Sequence, residues 1–130
     1  MPSAIHQEIT IDADPARVYK ALTDPQQFGE LTGRGAAALT ADTGAPFSLF
    51  DGHITGLNVE LVPDRRLVQA WRAASWPEGV YSIVNFQLEP DAGEQTRLVF
   101  DHTGFPADAH DELAAGWGKM YWEPLQRYLG

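Results

Sequence analysis

The sequence predicts an α+β domain over residues 1–130: an antiparallel sheet of about seven strands, two short helices after the first strand, and a long C-terminal helix packed on the sheet. Three observations predict it. A run of strand-like segments is joined by short turn sequences, which suit antiparallel neighbours because parallel pairs need long crossovers. The late strands alternate, with Val84, Phe86 and Leu88 set against Asn85, Gln87 and Glu89, so one sheet face is apolar and needs a cover. From Pro106 to Gly130, Leu113, Trp117, Met120, Tyr121, Pro124 and Tyr128 share one face of a helix, with Asp111, Lys119 and Gln126 opposite.

The β-branched residues of 5–11 and the following Asp12-Ala13-Asp14-Pro15 predict a first strand and its stop. Asp14 reads as a helix N-cap with Pro15 at the first helical position, and Val18, Ala21 and Leu22 give the spacing of a short helix that ends near Thr23-Asp24-Pro25. Pro25 opens a second short helical turn containing Phe28 and Leu31, and Gly33 and Gly35 mark a loop. Strands are then predicted over 36–42, 46–50, 53–62, 66–73, 80–89 and 96–103.

The joins carry turn chemistry. Asp51-Gly52 is a two-residue hairpin signal that places Leu49 opposite Ile54, Pro63 suits the second position of a tight turn, and Asp91 to Glu94 form a longer hairpin loop. Leu57, Val59 and Leu61 are out of phase with Ile54, which predicts a β-bulge at or beside Gly56. Pro124 lacks an N–H and crowds the carbonyl of Met120, so the last helix is expected to kink or break there.

With 18 acidic and 9 basic residues, the net charge of −9 argues against nucleic acid and anionic membranes as partners. The absence of cysteine excludes disulfides, thiolate nucleophiles and cysteine-ligated metals. The N-terminus has neither a basic start nor an apolar signal core, and no stretch approaches the ~18 apolar residues of a membrane span, so a cytoplasmic protein is expected. His6, His53 and His110 lack metal-ligand spacing, so no metal or other cofactor is expected. The acids Asp108, Asp111 and Glu112 are explained by the positive end of the last helix.

The stretch from Phe47 to Gly56, then Leu61-Val62-Pro63, Trp71-Arg72, Ser75-Trp76-Pro77-Glu78-Gly79, Thr96-Arg97-Leu98, His102 to Pro106 and Gly116-Trp117 resembles the C-terminal domain of the activator of heat-shock protein 90 ATPase. That domain belongs to the START-like, or SRPBCC, superfamily. The resemblance implies a helix-grip fold, in which a curved sheet grips the C-terminal helix. It further implies a cavity between sheet and helix, where relatives in the superfamily bind lipids, hormones or polyketides. The activator's separate N-terminal domain, which docks on the chaperone's middle segment, has no counterpart in these residues.

Three functions are compatible with the sequence. The first is a non-enzymatic domain that binds a small apolar ligand, with Trp71, Tyr81, Phe86, Phe100, Trp117 and Tyr121 lining the pocket and His102 as its polar anchor. The second is a protein-interaction module, possible partners being a chaperone or another protein, using the acidic surface and the tryptophans Trp76 and Trp122. The third is a cyclase or hydratase in which His102 works with a pocket carboxylate. A hydrogen-bonded core histidine and a solid aromatic core are the plain structural alternatives for the same residues.

Overall fold

In a computed structural model, residues 4–33, 39, 42–50 and 52–129 are described. Strand β1 (Ala4–Ile11) leads into α1 (Pro15–Thr23) and α2 (Pro25–Thr32), followed by β2 (Pro46–Leu49), β3 (Ile54–Val62), β4 (Arg66–Ala73), β5 (Ser82–Pro90) and β6 (Thr96–Thr103). All neighbouring strands pair antiparallel in the order β1-β6-β5-β4-β3-β2. The first and last long strands therefore lie side by side. Six strands are seen among the described residues; the strand expected over 36–42 lies mostly outside them.

Both short helices start by the same local device. The Asp14 carboxylate accepts from the Arg17 N–H at 2.9 Å and that of Asp24 accepts from the Gln27 N–H at 2.9 Å, with proline next in each case. Their apolar residues Val18, Leu22, Phe28 and Leu31 are buried against the rest of the core. The Val62–Arg65 turn closes with Arg65 N–H donating to Val62 C=O at 2.9 Å, and Asp64 takes the positive φ that such a proline turn needs at its third position.

Leu49 pairs with Ile54 as the hairpin spacing predicts, with Asp51 itself outside the described residues. The bulge falls at Val59, between the Asn58–Gln69 and Glu60–Val68 pairs, and not beside Gly56. Gly56 has a different duty: a Cβ there would lie 1.8 Å from the Ala70 carbonyl oxygen, so the strands approach only because it has no side chain. The apolar set is accordingly not reunited in full. Leu61 returns to the inner face after the bulge, whereas Leu57 and Val59 remain 42% and 45% exposed on the outer face.

The last helix crosses the inner face in four joined pieces: a 3₁₀ turn (Ala107–Ala109), α3 (His110–Trp117), a π turn (Gly118–Trp122) and α4 (Glu123–Leu129). The helical pieces run on through Pro124 without a break. The adjustment lies just upstream, where the Glu123 N–H reaches back five residues to Gly118 C=O, a wide turn that accommodates the missing N–H of Pro124.

The wide turn adds roughly one residue, so the buried face shifts by about 100° beyond it. Trp122, Leu125 and Leu129 are buried there, while Tyr128 turns outward and donates to Glu30 at 2.7 Å. Trp122, which ideal periodicity sets about 140° from Trp117, stacks on it at 5.7 Å and 21°, and its indole N–H donates to Gln7 at 2.6 Å.

Candidate functional site: an aromatic-walled cleft at the mouth of the grip

The space beneath the helix is largely filled. Trp117 packs at 4.3 Å from Phe100, 4.4 Å from Tyr121 and 5.3 Å from Trp71, and Phe86 lies 5.1 Å from Phe100. Such ring pairs each contribute about 0.5–1.5 kcal/mol beyond the area they bury. The interior opens at one edge, in a cleft of about 360 Å³.

Three elements wall this cleft: Phe50, His53 and Ile54 at the β2–β3 hairpin, Trp71 and Ala73 on β4, and Glu112, Leu113, Gly116, Trp117, Met120 and Tyr121 on the last helix. At Gly116 the wall faces open space, where a Cβ would meet nothing within 4 Å. A larger depression of about 980 Å³ lies at the other end of β3, formed by Asp14–Ala16, Val62–Arg66 and Gln87–Pro90. It carries no aromatic ring and none of the predicted site residues, so its size alone does not recommend it.

Of the seven ligand-binding residues expected from sequence, Trp71, Trp117 and Tyr121 come together on the cleft. Phe86, Phe100 and His102 lie behind it in the core and line none of it. Tyr81 is placed elsewhere, 50% exposed with the Arg72 guanidinium 5.8 Å over its ring. The reason is strand parity: on β5 the inward residues are Ser82, Val84, Phe86 and Leu88, so position 81 points out. Phe50, Ile54, Gly116 and Met120 were not expected as lining residues. Met120 was legible on the helix's apolar face, and Phe50 and Gly116 stand in the resemblance segments.

His102 has no solvent exposure and its ring is fully committed. The Trp117 indole can only donate, so its contact with Nδ1 at 3.1 Å makes that nitrogen an acceptor and assigns the proton to Nε2. Nε2 then donates to Ser82 Oγ at 2.7 Å, and the Ser82 hydroxyl donates to Trp71 C=O at 3.0 Å. Burial pushes the pKa of His102 down to about 4, which keeps the ring neutral. No carboxylate adjoins it in this chain of hydrogen bonds. The arrangement fixes Trp117 and Trp71 relative to each other and leaves His102 no nitrogen for a substrate.

Two polar atoms of the cleft's own walls, Trp71 Nε1 and Tyr121 Oη, are buried without a hydrogen-bond partner. Burial raises the pKa of the Tyr121 hydroxyl, opposed in part by the nearby Trp71 indole, whose influence falls short of a hydrogen bond. No group of three or more His, Asp or Glu suited to a metal occurs among the described residues, and no helix there is long and apolar enough to cross a membrane.

The family described as "Activator of Hsp90 ATPase homolog 1-like protein" matches residues 12–130. The "Activator of 90 kDa heat shock protein ATPase homolog 1" of Mus musculus is 31% identical over 121 residues, covering 93% of this chain and 35% of the mouse protein. The chain thus spans about a third of the length of that curated relative. Among solved structures, an HSP90 activator of Plasmodium falciparum superposes with a TM-score of 0.92 at 23% identity, covering 98% of this chain and 96% of the other. DynU16, a protein of the dynemicin biosynthetic locus, gives 0.80 at 25% identity, covering 97% of this chain and 46% of that one. With fold, motifs and sequence in agreement, the chain belongs to the family of Activator of Hsp90 ATPase homolog 1-like proteins.

Proposed function

We propose that this is a non-catalytic binding domain, acting in the cytoplasm, that takes a small apolar ligand into the cleft between the sheet and the last helix. The observation that carries the reading is the cleft itself. Its volume of about 360 Å³ falls within the roughly 300–1,000 Å³ of small-ligand pockets, and its walls are mostly aromatic and aliphatic. The packed interior confines the ligand to the mouth of the grip. The likeness to a protein of a biosynthetic locus supports a small-molecule role, and the spent nitrogens of His102 weigh against acid–base catalysis.

Intrinsic tryptophan fluorescence against a panel of lipids and aromatic compounds tests the reading, because Trp71 and Trp117 form two of the walls. A saturable change with at least one compound is expected. No response across the panel would defeat it.

A second reading, a co-chaperone-like module, is favoured by the family match and the relatives named as activators of a chaperone ATPase. It predicts a rise in the ATPase rate of the heat-shock protein when this chain is added; an unchanged rate at saturating protein would remove it.

A further inference from the structure

The cleft does not end at Leu113. A second hollow of about 250 Å³ adjoins it, sharing Ala73, Glu112 and Leu113 and extending along the last helix past Asp108 to Trp76 and Pro77. The two differ in chemistry. The first is walled by rings and aliphatic groups, with Glu112 at its border, whereas the second has two carboxylates, Glu112 and Asp108, and the half-buried indole of Trp76. Neither carboxylate has a hydrogen-bond or ion-pair partner among the described residues, and no lysine or arginine lines either hollow.

The wall bearing Trp76 is held in place. Arg72 donates to the carbonyls of Trp76 at 3.0 Å, Pro77 at 2.8 Å and Val80 at 3.3 Å, and Trp76 rests edge-on against Trp71 at 5.8 Å. The guanidinium is thereby spent on the loop and on the Tyr81 ring. The helix start nearby carries about half a positive charge, which Asp108, Asp111 and Glu112 outweigh. The net charge of −9 adds attraction at longer range for a cation.

We propose that the ligand is an apolar body bearing an ammonium group, the body seated in the cleft and the cation between Glu112, Asp108 and Trp76. The carboxylates supply charge and the indole a cation–π face. This inference rests on the reading of the cleft as a ligand site and adds the class of molecule it takes.

Calorimetric titration with three probes of one ring system, naphthylethylamine, naphthylethanol and naphthylacetate, tests it on the whole chain at about 10 mM and about 300 mM salt. The amine is expected to bind about 10-fold tighter than the alcohol at low salt, and the carboxylate anion more weakly than either. High salt should shrink the amine's advantage. In Asp108→Asn/Glu112→Gln, two exposed positions, the amine's advantage over the alcohol, both measured on the variant itself, should fall to within about 2-fold.

Equal binding of amine and alcohol would overturn the ammonium class and leave the apolar cleft standing. An amine preference that survives the double substitution would overturn its placement at these carboxylates. Failure of all three probes, the neutral alcohol included, would overturn the cleft as a ligand site and this inference with it.

Discussion

Acid should destabilise this domain through His102, whose ring is buried, neutral and hydrogen-bonded on both sides by Trp117 and Ser82. Burial lowers its pKa from 6.5 to about 4 in the folded protein. Between those values the unfolded chain binds the proton and the folded chain does not. The associated stability is therefore complete above pH 6.5 and is lost progressively as the pH falls to about 4. The separation of 6.5 and about 4, at about 1.4 kcal/mol per pH unit, amounts to about 3 kcal/mol. That is a large part of the roughly 5–15 kcal/mol that holds a domain together.

His102→Gln isolates this contribution from other titrations, because the amide oxygen can accept from Trp117 and the amide nitrogen donate to Ser82 without taking up a proton. Urea unfolding of both proteins at steps from about pH 7.5 to about pH 4 gives the difference in stability at each step. The wild type should lose about 3 kcal/mol relative to the variant across the range. Parallel pH profiles, or a His102 ring that titrates near 6.5 in the folded protein, would refute the buried neutral assignment.

Other consequences are more local. Tyr121→Phe should leave stability unchanged or raise it by up to about 1 kcal/mol, since the hydroxyl is buried without a partner; a clear loss in thermal unfolding would show that the Trp71 indole does bond to it. Gly56→Ala should cost at least about 3 kcal/mol in urea unfolding, because its Cβ would fall 1.8 Å from a backbone oxygen; a cost below about 1 kcal/mol would mean the strands can move apart. His6 carries the opposite sign to His102. Asp101 at 2.7 Å and Glu8 at 2.8 Å raise its pKa, so its contribution is complete below pH 6.5 and is lost as pH rises through the folded value, which a ring titration by NMR would find above 6.5.

The sequence was most legible where one residue performs one local task. Asp14-Pro15 caps and opens the first short helix and Pro25 opens the second, and Pro63 with Asp64 closes its turn by backbone preference. Alternation in β5 identified the inner face, because one sheet face is buried and the other is wet. The same parity assigns Tyr81 to the outer face, a signal that its aromatic character obscured.

What escaped the sequence depends on how elements meet. An ideal helix count cannot foresee the π turn that brings Trp122 onto Trp117, because periodicity assumes one unbroken pitch. The bulge was legible as a phase change, but it falls at Val59 while Gly56 serves the close approach to Ala70, a contact between strands that the sequence of one strand does not contain. Phe86 and Phe100 were expected on a pocket and serve the core instead. How far rings fill a space is decided by their mutual packing, which one-dimensional periodicity does not contain.

Gly116 offers the most direct test of the cleft, since its position faces open space and a leucine there would fill it. Gly116→Leu should keep the fold, with a gain of about 0.5–1 kcal/mol from helix propensity. In titrations with naphthylethanol followed by amide and indole NMR signals, the wild type should show saturable shifts at the indole N–H groups of Trp71 and Trp117, and Gly116→Leu should show none. Absence of saturable shifts in the wild type, or equal binding by the folded variant, would contradict a ligand seated between the sheet and the last helix.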